Sequence, residues 1–200
     1  TIFYPEAGGQ PGDNGIIQIG NEEISILDTT YVNNEIVHVV ENTSNLKVDD
    51  QIECNINWGR RFNIMQVHTT LHLLCSLISA PVTGGQINEN KGRLDFDLES
   101  KPNKEEILEA LNNLIKQNHE ISISSISEEE LDNKPDLIRT MSVKPPRGSG
   151  LIRMINIGDG IDYQPCGGTH VKNTQEIREV KKIRVENKGR MNKRVIVDFL

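Results

Sequence analysis

Only 4% of the 200 residues are aromatic, cysteines number three, and no apolar run approaches membrane-spanning length. Three cysteines without a framework spacing exclude a disulfide-stapled secreted domain and point to a reducing compartment. The missing apolar run and signal-peptide pattern exclude a helical membrane anchor, so a cytoplasmic protein with no membrane partner is expected. The first residue is Thr1, not Met, which leaves room upstream for a leader or an earlier strand. There is no Cys-x-x-Cys with His-x-Glu, as a nucleobase deaminase requires. Thr69, not Glu, follows His68, so the zinc-protease helix motif is absent too.

What remains is rich in Ile, Val and Leu, and long enough to build a core without staples. Short alternating runs at 16–19, 23–27, 35–41 and 51–56 predict strands, with Asn33-Asn34 as a hairpin turn. Residues 1–57 are therefore expected to form a small β-barrel or meander. From Arg60 to Ser79 the apolar residues recur at helical spacing, and Pro81 ends the helix. A strand over 93–98 follows, then a helix capped by Asn103 that runs to about His119. Residues 133–150 read as a surface loop, Leu151 to Ile157 as a strand, and the stretches 177–185 and 194–199 as a closing antiparallel pair. The fold class is α+β: the barrel, then an α/β two-layer unit over 58–200.

Two clusters carry the chemistry. His68 and His72 are spaced i, i+4, which puts both on one helix face. Cys166 and His170 flank Gly167-Gly168-Thr169, where the glycines favour a tight turn that folds the two toward one point. Three imidazoles and one thiolate suit zinc better than magnesium or calcium. Tyr4, His38, Cys54 and Cys75 read as packing or surface residues.

The net charge of −7 opposes a nucleic-acid partner, but its distribution does not. From Arg178 to Arg194 there are eight basic residues against Glu179 and Glu186, a local charge of +6. A local basic face can hold phosphates on an acidic protein. Charge alone leaves open whether this is such a face or an ordinary solvated strand pair.

Three stretches occur in order: Phe3-Tyr4-Pro5-Glu6-Ala7-Gly8-Gly9-Gln10-Pro11-Gly12-Asp13, His68-Thr69-Thr70-Leu71-His72 and Pro165-Cys166-Gly167-Gly168-Thr169-His170. Together they resemble the stand-alone alanyl-tRNA editing proteins and the editing domain of alanyl-tRNA synthetase, over nearly the whole chain. The resemblance implies a free trans-editing esterase that removes serine, or in some members glycine, from alanine tRNA. It implies one Zn2+ per chain on His68, His72, Cys166 and His170, which would also be the catalytic centre. It favours the barrel for the first residues, with Gly8, Gly9 and Gln10 in a glycine-rich motif beside the editing site, as candidate substrate contacts, and Thr83 near the substrate hydroxyl. Thr69, Thr70 and Gln86 are further candidates to pair with that hydroxyl. Gly-Gly-Gln also occurs in peptide release factors, a three-residue match that the rest of the chain does not extend. Lys181, Lys182 and Arg184, with Lys144, Arg147 and Arg153, are the candidate tRNA-phosphate contacts. No long C-terminal helical dimerisation region is present, so a monomer is expected. A zinc domain that binds tRNA without hydrolysis, and a zinc hydrolase of small-molecule esters, remain as alternatives.

Overall fold

The structure is a computed structural model and describes residues 1–41, 46–141, 145, 147–148 and 150–200. It is α+β, built on three sheets whose strands pair antiparallel. The first sheet holds β1 (Gly15–Ile19), β2 (Glu22–Val32), β3 (Glu35–Val40) and β4 (Glu53–Ile56), in the order β3-β2-β1-β4. Its strands flank a small core of Phe3, Ile17, Ile24 and Ile26. The expected barrel does not form: the sheet is open. Strand β2 runs to Val32, well past the expected end at residue 27. β1 pairs with its 22–26 half and β3 with its 26–32 half. The two neighbours are thus offset along β2, and the four-residue β4 beyond β1 pairs with β1 alone.

Helix α1 (Trp58–Leu77) is the central element. Asn57 caps it, its side chain accepting from the Arg60 amide at 3.2 Å. Nearly every residue from Ile64 to Cys75 is buried, including Gln66, His68, Thr69, Thr70 and His72. A helix buried all round has protein on every side, which is what fixes its polar side chains. On one side lies the sheet β10-β11-β6-β5, made of β5 (Val82–Ile87), β6 (Lys91–Asp97), β10 (Lys182–Gly189) and β11 (Asn192–Asp198). Helix α2 (Lys104–Lys116) joins α1 in the main core. Asn103 caps α2 and Ile107, Leu111 and Ile115 face inward, as the periodicity predicts. The third sheet, β7 (Ile121–Ser127), β8 (Leu151–Ile157) and β9 (Asp162–Pro165), closes over α1, with the short α3 (Glu128–Asp132) at its edge. No helix among the described residues is long and apolar enough to cross a membrane.

The N-terminal segment is bolted to α1 by one buried ion pair. The Arg61 guanidinium donates from Nε to both Asp13 oxygens, at 2.9 and 3.0 Å, and from Nη2 to Oδ2. The Asp13 side chain is 2% exposed and also accepts the Tyr4 amide at 2.6 Å. Arg61→Ala would leave a buried carboxylate without its cation, so a destabilisation of about 3–5 kcal/mol is expected in urea unfolding.

Candidate metal centre and cleft

His68 and His72 sit on adjacent turns of α1, both buried. Strand β9 runs into the loop that carries Cys166 and His170. This loop is tied to β8: the Cys166 amide donates to Arg153 O at 3.1 Å, and Arg153 Nη1 donates to Cys166 O at 2.5 Å and Gly168 O at 3.0 Å. The four potential ligand atoms all lie within 4.8 Å of one another. Cys166 Sγ is 3.5 Å from His68 Nε2 and 3.4 Å from His170 Nε2. Ligands about 2.0–2.3 Å from a tetrahedral ion would stand about 3.3–3.8 Å apart, so the two Cys–His distances fit a shared cation.

The outward nitrogen of every ring is engaged. His68 Nδ1 is 2.8 Å from Gln10 Oε1, His72 Nδ1 is 2.7 Å from Asp162 Oδ2, and His170 Nδ1 is 3.1 Å from Thr69 Oγ1. Gln10 Oε1 also accepts the Thr169 amide, and a carboxylate only accepts, so Nδ1 of His68 and of His72 carries the proton. Each Nε2, once free of any proton, is the atom left for a cation, the arrangement that outer partners impose on metal-binding histidines.

The electrostatics follow from this crowding. Burial pushes the Cys166 thiol up, but the His68 charge and hydrogen bonds from His170, His68 and His72 prevail and hold it well below an ordinary thiol. A thiolate is the ligand form. Burial lowers His170 to about 3, with the His68 charge adding to it, so this ring is neutral. For His72, burial is opposed by the Asp162 hydrogen bond, and the net shift is upward, to about 10.

The centre opens into a cleft of about 670 Å³. Gly8 and Gly9 line it with φ of 59° and 84°, backbone that favours glycine, and Gly9 O accepts the Ile87 amide at 2.9 Å. Thr83, on β5, also lines the cleft, donating from Oγ1 to Asp95 O at 3.2 Å. Gln86 also lines the cleft and accepts from Arg93 Nε at 3.3 Å. Three other candidates are placed elsewhere. Gln10, 1% exposed, stands behind His68, with Nε2 donating to Thr169 Oγ1 at 2.9 Å. Thr69 stands behind His170 and accepts the Val171 amide at 3.3 Å. Thr70 turns back to Gln66 O at 2.8 Å. Tyr4 and Cys75, read as packing, both border the cleft, and burial raises each to about 12, so both stay protonated.

The basic stretch divides. Lys193 is 4% exposed and donates to the carbonyls of Leu98, Gly189 and Arg190. Arg194 clamps Asp95 at 2.8 and 2.9 Å. Arg178 binds Gln66, Asn90 and Glu89 and lies over the Phe199 ring. These are internal props. Lys182 and Arg184 project from the exposed face of β10, Arg184 3.7 Å from Asp198. Lys181 pairs with Glu179 and Arg147 with Asp132, both on the surface. Arg153 is occupied with the Cys166 loop, and Lys144 lies outside the described residues. Asp162 and Gln164 are the residues that motif reading missed. Their i, i+2 spacing just before Cys166, on a strand, puts both on one face and could have marked them.

Residues 152–196 match the profile described as the threonyl and alanyl tRNA synthetase second additional domain. Residues 1–60, which carry the glycine-rich motif, match the one described as tRNA synthetases class II (A). An alanyl-tRNA editing protein AlaX-M of Methanosarcina barkeri is 35% identical over 206 residues, 98% of this chain and 84% of the relative. The protein of the same name from Saccharolobus solfataricus is 35% identical over 201 residues, with the same coverage. An alanine–tRNA ligase of Saccharolobus islandicus is 34% identical over 198 residues, covering 93% of this chain but only 22% of the ligase. With relatives 35% identical over 98% of this chain and 84% of their own length, the chain belongs to the family of alanyl-tRNA editing proteins AlaX-M.

Proposed function

We propose that this protein is a trans-editing hydrolase that deacylates mischarged Ser-tRNA(Ala) at a centre holding one Zn2+. The observation that carries this reading is the three-histidine, one-cysteine cluster at the floor of a cleft large enough for an aminoacylated ribose. His68, His72, Cys166 and His170 would hold the ion. When bound, Zn2+ supplies charge that polarises an ester carbonyl or lowers the pKa of water. The chain's own residues do the rest. The Gly8-Gly9 wall and Gln86 border the ester. Thr83 Oγ1, with its hydrogen directed to Asp95 O, presents an oxygen that can accept the serine hydroxyl. An alanine ester would leave that oxygen unpaired, which is how a site rejects a substrate lacking a hydroxyl. Lys182 and Arg184 receive tRNA phosphates. In this reading residues 1–57 and 58–200 act as two units, in a monomeric cytoplasmic protein.

The closed set of four protein ligands favours a second reading, a zinc domain that binds tRNA without hydrolysis, because catalytic zinc usually keeps an open position. Hydrolysis of Ser-tRNA(Ala) that a chelator stops and Zn2+ restores separates the two readings. A free seryl ester assayed in parallel separates both from a small-molecule esterase. Lys182→Ala with Arg184→Ala should weaken tRNA binding and reduce the slope of log affinity against log salt by roughly 1 per residue, with metal content unchanged. An unchanged slope would contradict the placement of the RNA face on β10.

A further inference from the structure

Asp162 is a buried carboxylate with no lysine or arginine paired to it among the described residues. Its hydrogen-bond partners are His72 Nδ1, 2.7 Å from Oδ2, and Gln164 Nε2, 3.0 Å from Oδ2 and 3.1 Å from Oδ1. Burying a carboxylate is costly unless a cation compensates it. The other buried carboxylates among the described residues have a permanent cation, Asp13 in Arg61 and Asp95 in Arg93 and Arg194, whereas Asp162 has only His72, which is charged only while protonated. Only the ring of His72 stands between Asp162 and the point where the four ligand atoms converge.

The three rings also differ in what holds them. His68 leans on an amide oxygen and His170 on a hydroxyl, both neutral; His72 alone leans on a carboxylate. Among the ligands only Cys166 carries negative charge, and one anion does not balance a divalent cation. The Asp162 carboxylate, one imidazole away, is the second. Gln164, itself 5% exposed, donates from Nε2 to both oxygens of this carboxylate and stands 3.2 Å from His72 Nδ1, so it packs against the pair. The alternation of β9 makes this possible: Asp162 and Gln164 face α1 together, while Tyr163 between them points outward.

We propose that Asp162 is a positioning residue that orients His72 and supplies the second negative charge with which the centre retains a divalent cation, Gln164 acting as its clamp. This rests on the metal reading above, and its test does not depend on tRNA hydrolysis. Asp162→Asn keeps the shape and an oxygen for His72 Nδ1 but removes the charge; Asp162→Ala removes both. The dissociation constant for Zn2+ is measured against a chromophoric chelator, the fold by circular dichroism, and ligand geometry from the visible spectrum of the Co2+-loaded protein. Asp162→Asn should bind Zn2+ at least about 10-fold more weakly than the unchanged protein, with native circular dichroism and the tetrahedral Co2+ bands kept. Asp162→Ala should lose about 100-fold and shift those bands, because His72 is then free to turn. If Asp162→Ala does not fold, Asp162→Asn still decides the point. Unchanged Zn2+ affinity in Asp162→Asn overturns the proposal while leaving the metal reading intact. Failure of the unchanged protein to bind Zn2+ overturns both.

Discussion

Cys166→Ala should weaken Zn2+ binding by more than about 100-fold, beyond the range typical of outer partners, and should abolish deacylation with it. In the proposed centre the sulfur is the anionic ligand, 3.4 and 3.5 Å from the Nε2 atoms of His170 and His68. Its removal leaves three imidazoles without the charge that draws a cation to them. The fold should survive, because the loop is held by its backbone: the residue-166 amide and carbonyl are bonded to Arg153 regardless of the side chain. Metal content and circular dichroism on the same preparation check this. A variant that keeps its ion and its activity would show that the thiolate is not a ligand.

Gly168→Ala should damage the same centre without replacing any of the four candidate ligands. A Cβ at residue 168 would stand 2.1 Å from His68 Cε1, 2.5 Å from its Nδ1 and 2.8 Å from Gln10 Oε1. None of these has room to yield. Gly168 is fixed by Arg153 at its carbonyl and by Cys166 Sγ at its amide, and His68 is a buried residue of α1. The ring would be pushed off its line to the sulfur and off Gln10 together. The expected result is loss of metal affinity by more than about 10-fold, as for broken outer partners, and destabilisation of about 1–3 kcal/mol from overpacking. Gly167→Ala is the control: nothing lies within 4 Å of its Cβ position and its φ is not positive, so it should bind metal and unfold like the unchanged chain. Equal behaviour of the two variants in chelator competition and thermal unfolding would contradict the packing argument.

The parts of this molecule that could be read in advance are those set by local spacing. The i, i+4 pair His68/His72, the cap at Asn103 and the turn around Gly167-Gly168 follow from neighbours in sequence. Contacts at long range could not be read. Gln10 was expected to meet substrate, yet it closes on His68, 58 residues away. Thr69 lies beside a ligand in sequence, and helical geometry turns it to the back of His170. The basic run from Arg178 to Arg194 looks uniform as text. A long cationic side chain can equally reach solvent or curl onto carbonyls, and Lys193 does the second. The barrel failed for a related reason: alternation predicts strands, but the offset of β1 and β3 along β2, which keeps the sheet open, lies in the register.

The most direct test of the account compares Ser-tRNA(Ala) and Ala-tRNA(Ala) as substrates for protein carrying one Zn2+ per chain, for the same protein stripped by chelator, and after reloading. The account predicts rapid loss of serine with alanine spared, no hydrolysis in the stripped protein with its fold retained, and recovery on reloading. Hydrolysis that persists at full rate without the ion, or none at one ion per chain, would contradict it.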